Sequence, residues 1–432
     1  MTFHDSTCEL HRRSSPRCLI VLCGLARSAI FKAKYTKWAL LSVLAIVSFV
    51  SLLPLTKNYT TVLNPFTREV PKTWTGRELL ETLDAERKRI RSALVNFTFP
   101  AESLTRSIKE LLPEEGGTQH MTIIISYWRS GSTFLGDILN SHPATVYFYE
   151  PFKSYRAQQI RSPPHSEEAY QLLTQLLNSN YTDTEAYLEF EKNRNSFVKQ
   201  KNIPLHRVCK HKGIKCFEPH FLSQFMKLYP FMVMKITRLR LSLIEPFLIS
   251  LRYNLRVILL VRDPRGIMTS RSHHVWCNKD PDCAQPLHTC SDMIADYATA
   301  IRFSEMFPRR FMVLRYEELA FEPLKKTREL LRFMGLKLHR NVLKFLLTHT
   351  KFKAGGAFGT FRNSTATALA WRSTLPERIL NIQSQCEIAI RLWGYRFIRN
   401  FTDLQNFSPL KPNFTVAKHF RLDAEEGVNC KI

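Results

Sequence analysis

Acidic residues are scarce in this chain of 432 residues. Aspartate and glutamate together number 37, against 62 lysines and arginines, so the formal net charge is +25. A field this positive attracts anions and disfavours basic partners. Nucleic acid, anionic lipid, anionic polysaccharide and a polyphosphorylated cofactor all suit such a charge, and so does plain solubility. Charge alone therefore selects none of them.

Other common patterns are absent as well. The sequence contains no internal repeat and no low-complexity block. The cysteines never have C-x-x-C spacing, which disfavours a zinc site. The ATPase loop signature G-x-x-x-x-G-K-[S/T] does not occur, and no acidic strand end suits Mg²⁺. We therefore expect no metal ion and no ordinary ATPase.

Charge is missing altogether from one run near the N-terminus, Trp38 to Leu55, which has 18 residues. This length is at the short end for a membrane-spanning helix and exceeds most signal-peptide cores. A buried soluble helix is the alternative, but no domain precedes the run. The segment before it carries Asp5, Glu9 and seven basic residues: Arg12, Arg13, Arg17, Arg27, Lys32, Lys34 and Lys37. Because positive residues stay in the cytosol, we predict a cytosolic tail at 1–37, a signal anchor at 38–55 and a lumenal remainder.

Potential glycosylation sites agree with that orientation. All the Asn-x-Ser/Thr acceptors follow the anchor: Asn58, Asn96, Asn180, Asn363, Asn400, Asn406 and Asn413. Seven cysteines also follow it, and in an oxidising lumen they could form up to three disulfides. Cys209 and Cys216 are the closest isolated pair, and we expect a second bridge within the cluster Cys277, Cys283 and Cys290.

The pattern after the anchor predicts a stem over 56–118 and one domain over 119–432. Thr75 to Glu78 reads as a capping box that begins a charged helix through Leu94. Apolar runs at 121–126, 231–236, 255–261 and 310–316 then alternate with helix-like segments. This alternation indicates an α/β fold with a parallel sheet flanked by helices. Ligands of such sheets bind beyond the carboxyl ends of the strands.

The first motif is IIISYWRSGSTFLGD at 123–137, where a strand runs through a turn into a helix. Gly131 lets the backbone approach a ligand closely. The hydroxyls of Ser130, Ser132 and Thr133 and the free N–H groups of the helix start suit a phosphate or sulfate. Arg129 adds a forked positive charge. The alternative is an ordinary strand–turn–helix corner.

The second motif is VILLVRDPRGIMTSR at 257–271, again a strand that runs through a loop into a helix. Arg262 lies at the strand end, Pro264 marks the helix start, and Ser270 follows Arg262 by eight residues. Arg265 and Arg271 add charge. Taken alone, the motif could be a salt-bridged turn.

Together the two motifs resemble the sulfotransferases that use 3′-phosphoadenosine 5′-phosphosulfate. The resemblance implies a P-loop-like sulfotransferase fold, with the 5′-phosphosulfate at the first loop and the 3′-phosphate at Arg262 and Ser270. It implies this set of donor-binding residues: Arg129, Ser130, Gly131, Ser132, Thr133, Phe134, Leu135, Arg262, Asp263, Pro264, Arg265, Gly266, Ile267, Met268, Thr269 and Ser270.

The resemblance narrows to the Golgi carbohydrate 6-O-sulfotransferases that act on keratan sulfate and chondroitin. Its blocks lie, in order, at 142–152, 260–271, 313–336, 359–376 and 386–396. It implies a Golgi membrane enzyme that sulfates the 6-hydroxyl of galactose, N-acetylgalactosamine or N-acetylglucosamine. The implied partners are a glycan and the membrane, with no nucleic acid. Trp128 and the segment YRAQQIRSPPHS at 155–166 depart from the pattern, so the acceptor stays undefined.

A sugar hydroxyl is a weak acid and needs a general base. We assign Glu150 to that role, because related lumenal sulfotransferases place a glutamate at a similar distance past the loop arginine. Arg129 would stabilise the leaving phosphate. Glu150 could instead form a salt bridge that positions the loop, and His273 and His274 are alternative bases.

The sequence allows two interpretations of several nearby residues. Tyr316 could contact adenine or pack in the core, and Lys235 and Arg238 could meet an anion or form a solvated basic edge. Trp371 and Arg372 could bind either substrate. A tyrosylprotein sulfotransferase, a lumenal kinase using ATP and Mg²⁺, and a non-catalytic glycan-binding protein are the alternative functions.

Overall fold

The computed structural model describes residues 73–101, 103–193, 201–351, 359–399, 401–402 and 404–416. Within these residues no helix is both long and apolar enough to cross a membrane. The predicted anchor, Trp38 to Leu55, lies outside them.

A parallel sheet forms the centre of the fold. In the described residues it has five strands in the order β2-β3-β1-β4-β5. Its strands are β1 His120–Ser126, β2 Thr145–Tyr149, β3 Phe231–Ile236, β4 Asn254–Val261 and β5 Phe311–Arg315. Ile123 of β1 pairs with Met234 on one side and Val257 on the other. The four predicted strands are confirmed, whereas β2 was not predicted.

Both faces of the sheet are covered. Every residue of β1 and of β3 is buried. Successive side chains of a strand point to opposite faces, so burial of all of them requires packing on both sides. The predicted α/β class, a parallel sheet flanked by helices, is therefore confirmed.

The flanking helices occupy most of the remaining described chain. They are Gly76–Ala93, Ser132–Asn140, His165–Leu177, Glu185–Asn193, Ile203–Lys212, Pro219–Lys227, Glu245–Ile249, Pro264–Ser272, Val275–Asn278, Pro281–Ala284, Pro286–Met306, Tyr316–Phe321, Pro323–Phe333, Arg340–His349, Ser364–Leu369, Pro376–Gln385 and Glu387–Leu392. Short 3₁₀ turns lie at Ile108–Leu111, Pro113–Glu115, Lys153–Tyr155, Gly213–Phe217, Leu241–Ile244, Ala370–Ser373 and Leu404–Asn406.

The first described helix, Gly76–Ala93, begins where the sequence predicts. Thr75 Oγ1 accepts a hydrogen bond from the Glu78 amide at 3.3 Å. The Glu78 carboxylate pairs with Lys212 and Lys215 at 2.8 and 2.5 Å. Helix residues such as Leu83 pack into the same hydrophobic core as the sheet strands. This part of the predicted stem is therefore packed against the domain.

Three disulfides join cysteines within the described ranges. The predicted bridge Cys209–Cys216 is present, and Cys277 pairs with Cys283 inside the expected cluster. Cys290, the third member of that cluster, joins the helix Pro286–Met306 to Cys386. This last pairing spans 96 residues, a separation that gives no local spacing signal.

Candidate active site

A cleft of about 1420 Å³ lies at the carboxyl ends of the strands. Each strand is followed by at least one cleft residue close to its end, including Arg129 after β1, Glu150 after β2, Arg238 after β3, Arg262 after β4 and Tyr316 after β5. This is the position at which parallel sheets bind ligands. Pockets for one drug-sized ligand measure roughly 300–1,000 Å³, so this cleft has room for two substrates.

The lining of the cleft is strongly basic. Nine of its described residues are lysine or arginine: Arg129, Lys153, Arg156, Lys235, Arg238, Arg262, Lys279, Arg362 and Arg378. Among the residues that the structure describes, its carboxylates are Glu150 and Asp280. Such an excess of one sign in a concave surface concentrates anionic ligands.

The first loop turns sharply before the helix Ser132–Asn140. Arg129 and Gly131 have φ angles of 69° and 89°. A Cβ atom on Gly131 would lie 2.2 Å from Cδ2 of Tyr316, so this position requires glycine. The first N–H groups of a helix have no partner within it, and Ser132 and Thr133 line the cleft. The loop therefore directs helix-start N–H groups and hydroxyls into the cleft, and their binding of an anion stays a prediction.

Not every residue of the predicted loop reaches the cleft. Phe134 lines it together with Gly131, Ser132 and Thr133. Ser130 is buried, and its hydroxyl is bonded to the Tyr127 carbonyl at 2.7 Å and to the Ser126 hydroxyl. Leu135 is a fully buried core residue. The Ser130 side chain therefore holds the turn together and does not face a ligand.

The two motifs are joined directly. Arg129 Nε donates a hydrogen bond to Ser270 Oγ at 3.0 Å. Arg262 Nη1 donates to the carbonyl of Arg129 at 2.9 Å, and its Nη2 donates to the carbonyl of Thr367 at 3.1 Å. Burial lowers the pKa of Arg129, and the neighbouring positive charges of Arg262 and Arg362 lower it further. This mutual repulsion is relieved when an anion binds between the guanidinium groups.

Arg262 and Trp371 leave polar hydrogens unpaired at the second motif. Arg262 Nε and Trp371 Nε1 are buried, and neither has a hydrogen-bond partner within the described part of the chain. A Cβ on Gly266 would lie 2.9 Å from that Nε and 3.1 Å from Trp371 Cδ1. Buried donors are normally satisfied, so two unpaired ones in a cleft indicate a ligand acceptor. A phosphate group fits this requirement.

The second motif divides into ligand-facing and structural residues. Gly266, Thr269 and Ser270 line the cleft with Arg262, whereas Asp263, Pro264, Arg265, Ile267 and Met268 do not. Arg265 and Asp263 form a fully buried pair at 2.7 Å. Arg265 also bonds to Gln383 at 2.8 Å. Arg265 therefore forms the salt-bridged turn that was the alternative interpretation of this motif.

Arg271 is also buried away from the cleft. Its side chain bonds to the carbonyls of Trp128 and Cys283 at 3.1 and 3.0 Å. Burial lowers its pKa to about 9. Contrary to expectation, Arg265 and Arg271 bring no charge to the cleft, because both guanidinium groups are used to hold the surrounding chain.

Glu150 lies between two cations. Its carboxylate bonds to Lys235 Nζ and to Arg238 Nη1. Its backbone has a φ of 57°, and its amide donates to the Lys235 carbonyl at 3.0 Å. Burial opposes ionisation of Glu150, but the charges and hydrogen bonds of Lys235 and Arg238 hold its pKa well below the usual range. Lys235 and Arg238 are buried, so the solvated-edge reading of them is wrong.

The other aromatic and histidine candidates occupy distinct positions. Tyr316 is buried, with its ring centroid 4.7 Å from Arg262 Cζ. His273 is exposed and lines the cleft. His274 does not line it, and burial followed by the positive charge of Arg129 lowers the pKa of its imidazole. Arg372 bonds to the Phe407 carbonyl at 3.0 Å and does not line the cleft.

Several cleft residues had no sequence signal. Lys153, Arg156, Trp276, Lys279 and Arg378 all line the cleft. They come from loops and helix ends without a recognisable motif, and only the three-dimensional fold brings them together. Trp276 lies beside the cysteine cluster, which was the one hint that its segment is fixed in place.

Comparison with known proteins gives one family match, the sulfotransferase domain over residues 119–373. Carbohydrate sulfotransferase 4 of Mus musculus is 28% identical over 344 residues, covering 68% of this chain and 87% of the mouse protein. Carbohydrate sulfotransferase 1 of Danio rerio is 26% identical over 338 residues, covering 66% of this chain and 80% of the fish protein. The crystal structure of mouse sulfotransferase SULT7A1 complexed with PAP has a TM-score of 0.33 and 11% identity, covering 66% and 89% of the two chains.

Proposed function

Because the chain belongs to the sulfotransferase domain family and is therefore an enzyme, we propose that it sulfates a glycan. The reaction moves a sulfuryl group from 3′-phosphoadenosine 5′-phosphosulfate to the 6-hydroxyl of galactose, N-acetylgalactosamine or N-acetylglucosamine. The names of the similar carbohydrate sulfotransferases support a sugar acceptor. The observation that carries the proposal is the hydrogen bond between Arg129 and Ser270, which combines two anion sites in one cleft beside Glu150.

The two ends of the donor have different partners in this proposal. Arg129 and the N–H groups that begin the helix at Ser132 bind the 5′-phosphosulfate. Arg262 and Ser270 bind the 3′-phosphate, which accepts the unpaired Arg262 Nε hydrogen. Tyr316 lies between the two proposed anion sites, because its ring packs on Gly131 and on Arg262. The donor thus neutralises part of the basic lining.

Glu150 is the proposed general base. The acceptor oxygen forms a bond to sulfur, the bond between sulfur and the phosphate oxygen breaks, and the hydroxyl proton passes to the Glu150 carboxylate. The leaving phosphate gains negative charge, which Arg129 and the loop N–H groups stabilise. Positioning and electrostatics supply most of the catalysis in transfers of this kind.

The ion pairs of Glu150 make it a weak base before substrates bind. A carboxylate held by Lys235 and Arg238 has little tendency to accept a proton. A bound donor brings negative sulfate and phosphate oxygens into the same cleft, and these compete for the two cations. As the cations turn toward the donor, the pKa of Glu150 rises, so proton transfer is favoured only when the donor is in place.

The proposed cellular setting follows from the N-terminal sequence. A cytosolic tail at 1–37, an anchor at 38–55 and a stem at 56–118 would place the domain at 119–432 in the Golgi lumen. Four of the acceptor asparagines in the described residues are exposed and so open to glycosylation: Asn96, Asn363, Asn406 and Asn413. Asn180 is half-buried.

Sulfate transfer from radiolabelled donor tests the proposal. The full chain, solubilised in detergent, is offered keratan-type, chondroitin-type and N-acetylglucosamine-terminated glycans, and a tyrosine-containing peptide. We expect label on one glycan class and its loss in Arg129→Ala. Label on the peptide alone would indicate a tyrosylprotein sulfotransferase. Donor binding without transfer would indicate a glycan-binding protein that has no activity.

A further inference from the structure

The turn between the helices Pro264–Ser272 and Pro286–Met306 forms part of the cleft wall. It contains two one-turn helices, Val275–Asn278 and Pro281–Ala284, and is closed by the disulfide Cys277–Cys283. Neither of the anion-binding motifs includes this turn. We refer to residues 273–285 as the disulfide turn.

Trp276 is the large aromatic side chain that this turn exposes. Its side chain lines the cleft and is 42% exposed. Single exposed hydrophobic residues are common on protein surfaces and need no explanation by themselves. Trp276 differs from them because it faces a concave, basic cleft and because contacts with neighbouring rings hold its side chain in place.

Two contacts hold the Trp276 ring in place. Its centroid lies 6.5 Å from that of Trp128 at an interplanar angle of 77°, an edge-to-face contact. It also lies 5.8 Å from the His274 ring. Trp128 packs with Ala157, Cys277 and Cys283 in a small buried cluster. The exposed ring therefore rests on a rigid base.

The segment 155–166, which departs from the pattern of the family that the sequence resembles, braces the same turn. Arg161 pairs with Asp282 at 2.8 Å and with Asp292 at 2.9 Å. The Gln159 amide donates to the Asp282 carboxylate at 2.9 Å. These bonds hold the disulfide turn against the segment that follows Glu150. The two parts of the chain thus form one wall of the cleft.

This wall lies next to the proposed base. The Trp128 ring centroid is 5.5 Å from Arg238 Cζ, and Arg238 bonds to Glu150. Trp276 is therefore linked through Trp128 and Arg238 to the residue that would take the proton of the acceptor. Glu150 and Trp276 line the same cleft, so an acceptor whose hydroxyl reaches Glu150 has this wall within the same cleft.

Sugar rings suit such a surface. One face of a pyranose carries several C–H groups and is apolar, whereas its edges carry hydroxyls. Tryptophan offers a large flat area at a low cost in conformational entropy, because only two torsions need to be fixed. We propose that Trp276 is an acceptor subsite, on which a sugar next to the sulfated one packs its C–H face. This inference rests on the proposed glycan sulfotransferase function.

Acceptor kinetics and binding test the subsite. The variants Trp276→Ala and Trp276→Phe are compared with Val275→Ala, which changes a side chain that is 79% exposed on the same turn and does not line the cleft. The KM for an oligosaccharide acceptor is measured for each variant. The Kd of 3′-phosphoadenosine 5′-phosphate (PAP), the product left when the donor loses its sulfuryl group, is measured as well. Acceptor affinity for the PAP-bound enzyme, measured by calorimetry, gives a second readout that does not depend on turnover.

We expect Trp276→Ala to raise KM and acceptor Kd about 3- to 10-fold, the size of an aromatic contact. The Kd of PAP and kcat stay unchanged, Trp276→Phe recovers most of the affinity, and Val275→Ala behaves as wild type. Unchanged acceptor affinity in Trp276→Ala, while wild type sulfates the glycan, would overturn the subsite alone. A loss of PAP affinity in Trp276→Ala as large as the loss of acceptor affinity would also overturn the subsite, since it would show that Trp276 has a structural role. Absence of glycan transfer by wild type would overturn both proposals.

Discussion

Arg129 Nε donates a hydrogen bond to Ser270 Oγ at 3.0 Å, across 141 residues of sequence. The bond connects the loop after β1 with the helix after β4, so the two proposed anion sites are fixed relative to each other before any ligand binds. A donor with two anionic ends then meets a preformed surface, which lowers the cost of ordering the site.

Ser270→Ala should weaken donor binding. The substitution removes a proposed phosphate ligand and also releases Arg129 from its fixed position. A lost hydrogen bond to a charged group corresponds to about 1.5–3 kcal/mol, so the Kd of PAP should rise at least tenfold. Calorimetric titration with PAP measures it.

Ser272→Ala is the matched control for that experiment. Ser272 lies in the same helix, and its hydroxyl donates to the Thr269 carbonyl at 2.8 Å. Its loss should leave the Kd of PAP unchanged. An equal loss of affinity in both variants would show that the helix, and not the Ser270 hydroxyl, is responsible.

Substitution of the two arginines of Arg-Asp-Pro-Arg should have different effects on PAP affinity and on stability. Arg262→Ala should raise the Kd of PAP more than tenfold, because Arg262 faces the cleft. It should lower the unfolding temperature less than Arg265→Ala does, since the Arg262 side chain bonds to two backbone carbonyls and not to a buried carboxylate. Arg265→Ala should lower the free energy of unfolding by about 3–5 kcal/mol, since it leaves Asp263 buried and unpaired. Thermal unfolding combined with PAP titration separates them. The reverse pattern would contradict the assignment.

Glu317 should make stability depend on pH. Its carboxyl is fully buried, accepts from the Asp263 amide at 3.1 Å, and accepts from the Tyr395 hydroxyl at 2.9 Å. Burial, reinforced by the charge of Asp263, raises its pKa from 4.5 to about 7. Its contribution to stability is therefore complete below pH 4.5 and is lost as pH rises through 7, up to about 3 kcal/mol.

Unfolding temperatures between pH 5 and pH 8 check this prediction. Wild type should lose stability over that range, and Glu317→Gln should lose clearly less, because the amide has no proton to release. Glu322→Gln, at a side chain that is 51% exposed, is the control and should follow wild type. Equal slopes for wild type and Glu317→Gln would contradict the prediction.

The sequence was sufficient for much of the fold because parallel strands are buried on both sides and read as continuous apolar runs. Strand β2, Thr145–Tyr149, was not predicted, although its β-branched and aromatic residues favour a strand. Gly131 was predicted as a ligand-site residue because it lies in the turn between a strand and a helix, whereas Ser270 was predicted from the resemblance to sulfotransferases.

Long-range pairing limited the site prediction. Lys235 lies 85 residues from Glu150, and no spacing rule predicts that these two side chains form a hydrogen bond. Arg265 follows Arg262 closely, yet one side chain faces Asp263 and the other faces the cleft. Local sequence gave both arginines the same expected role, since only packing against distant groups such as Gln383 distinguishes them.

The most direct test of the account measures sulfated product from wild type and Glu150→Gln, with PAP binding as the check on folding. Mass spectrometry identifies the sulfated carbon, and released PAP gives the stoichiometry. We predict one sulfate on a sugar 6-hydroxyl for each PAP released, and a rate about 10²- to 10⁴-fold lower in Glu150→Gln with PAP still bound. Sulfated product at the wild-type rate from Glu150→Gln, or no sulfated glycan from wild type that binds PAP, would contradict the account.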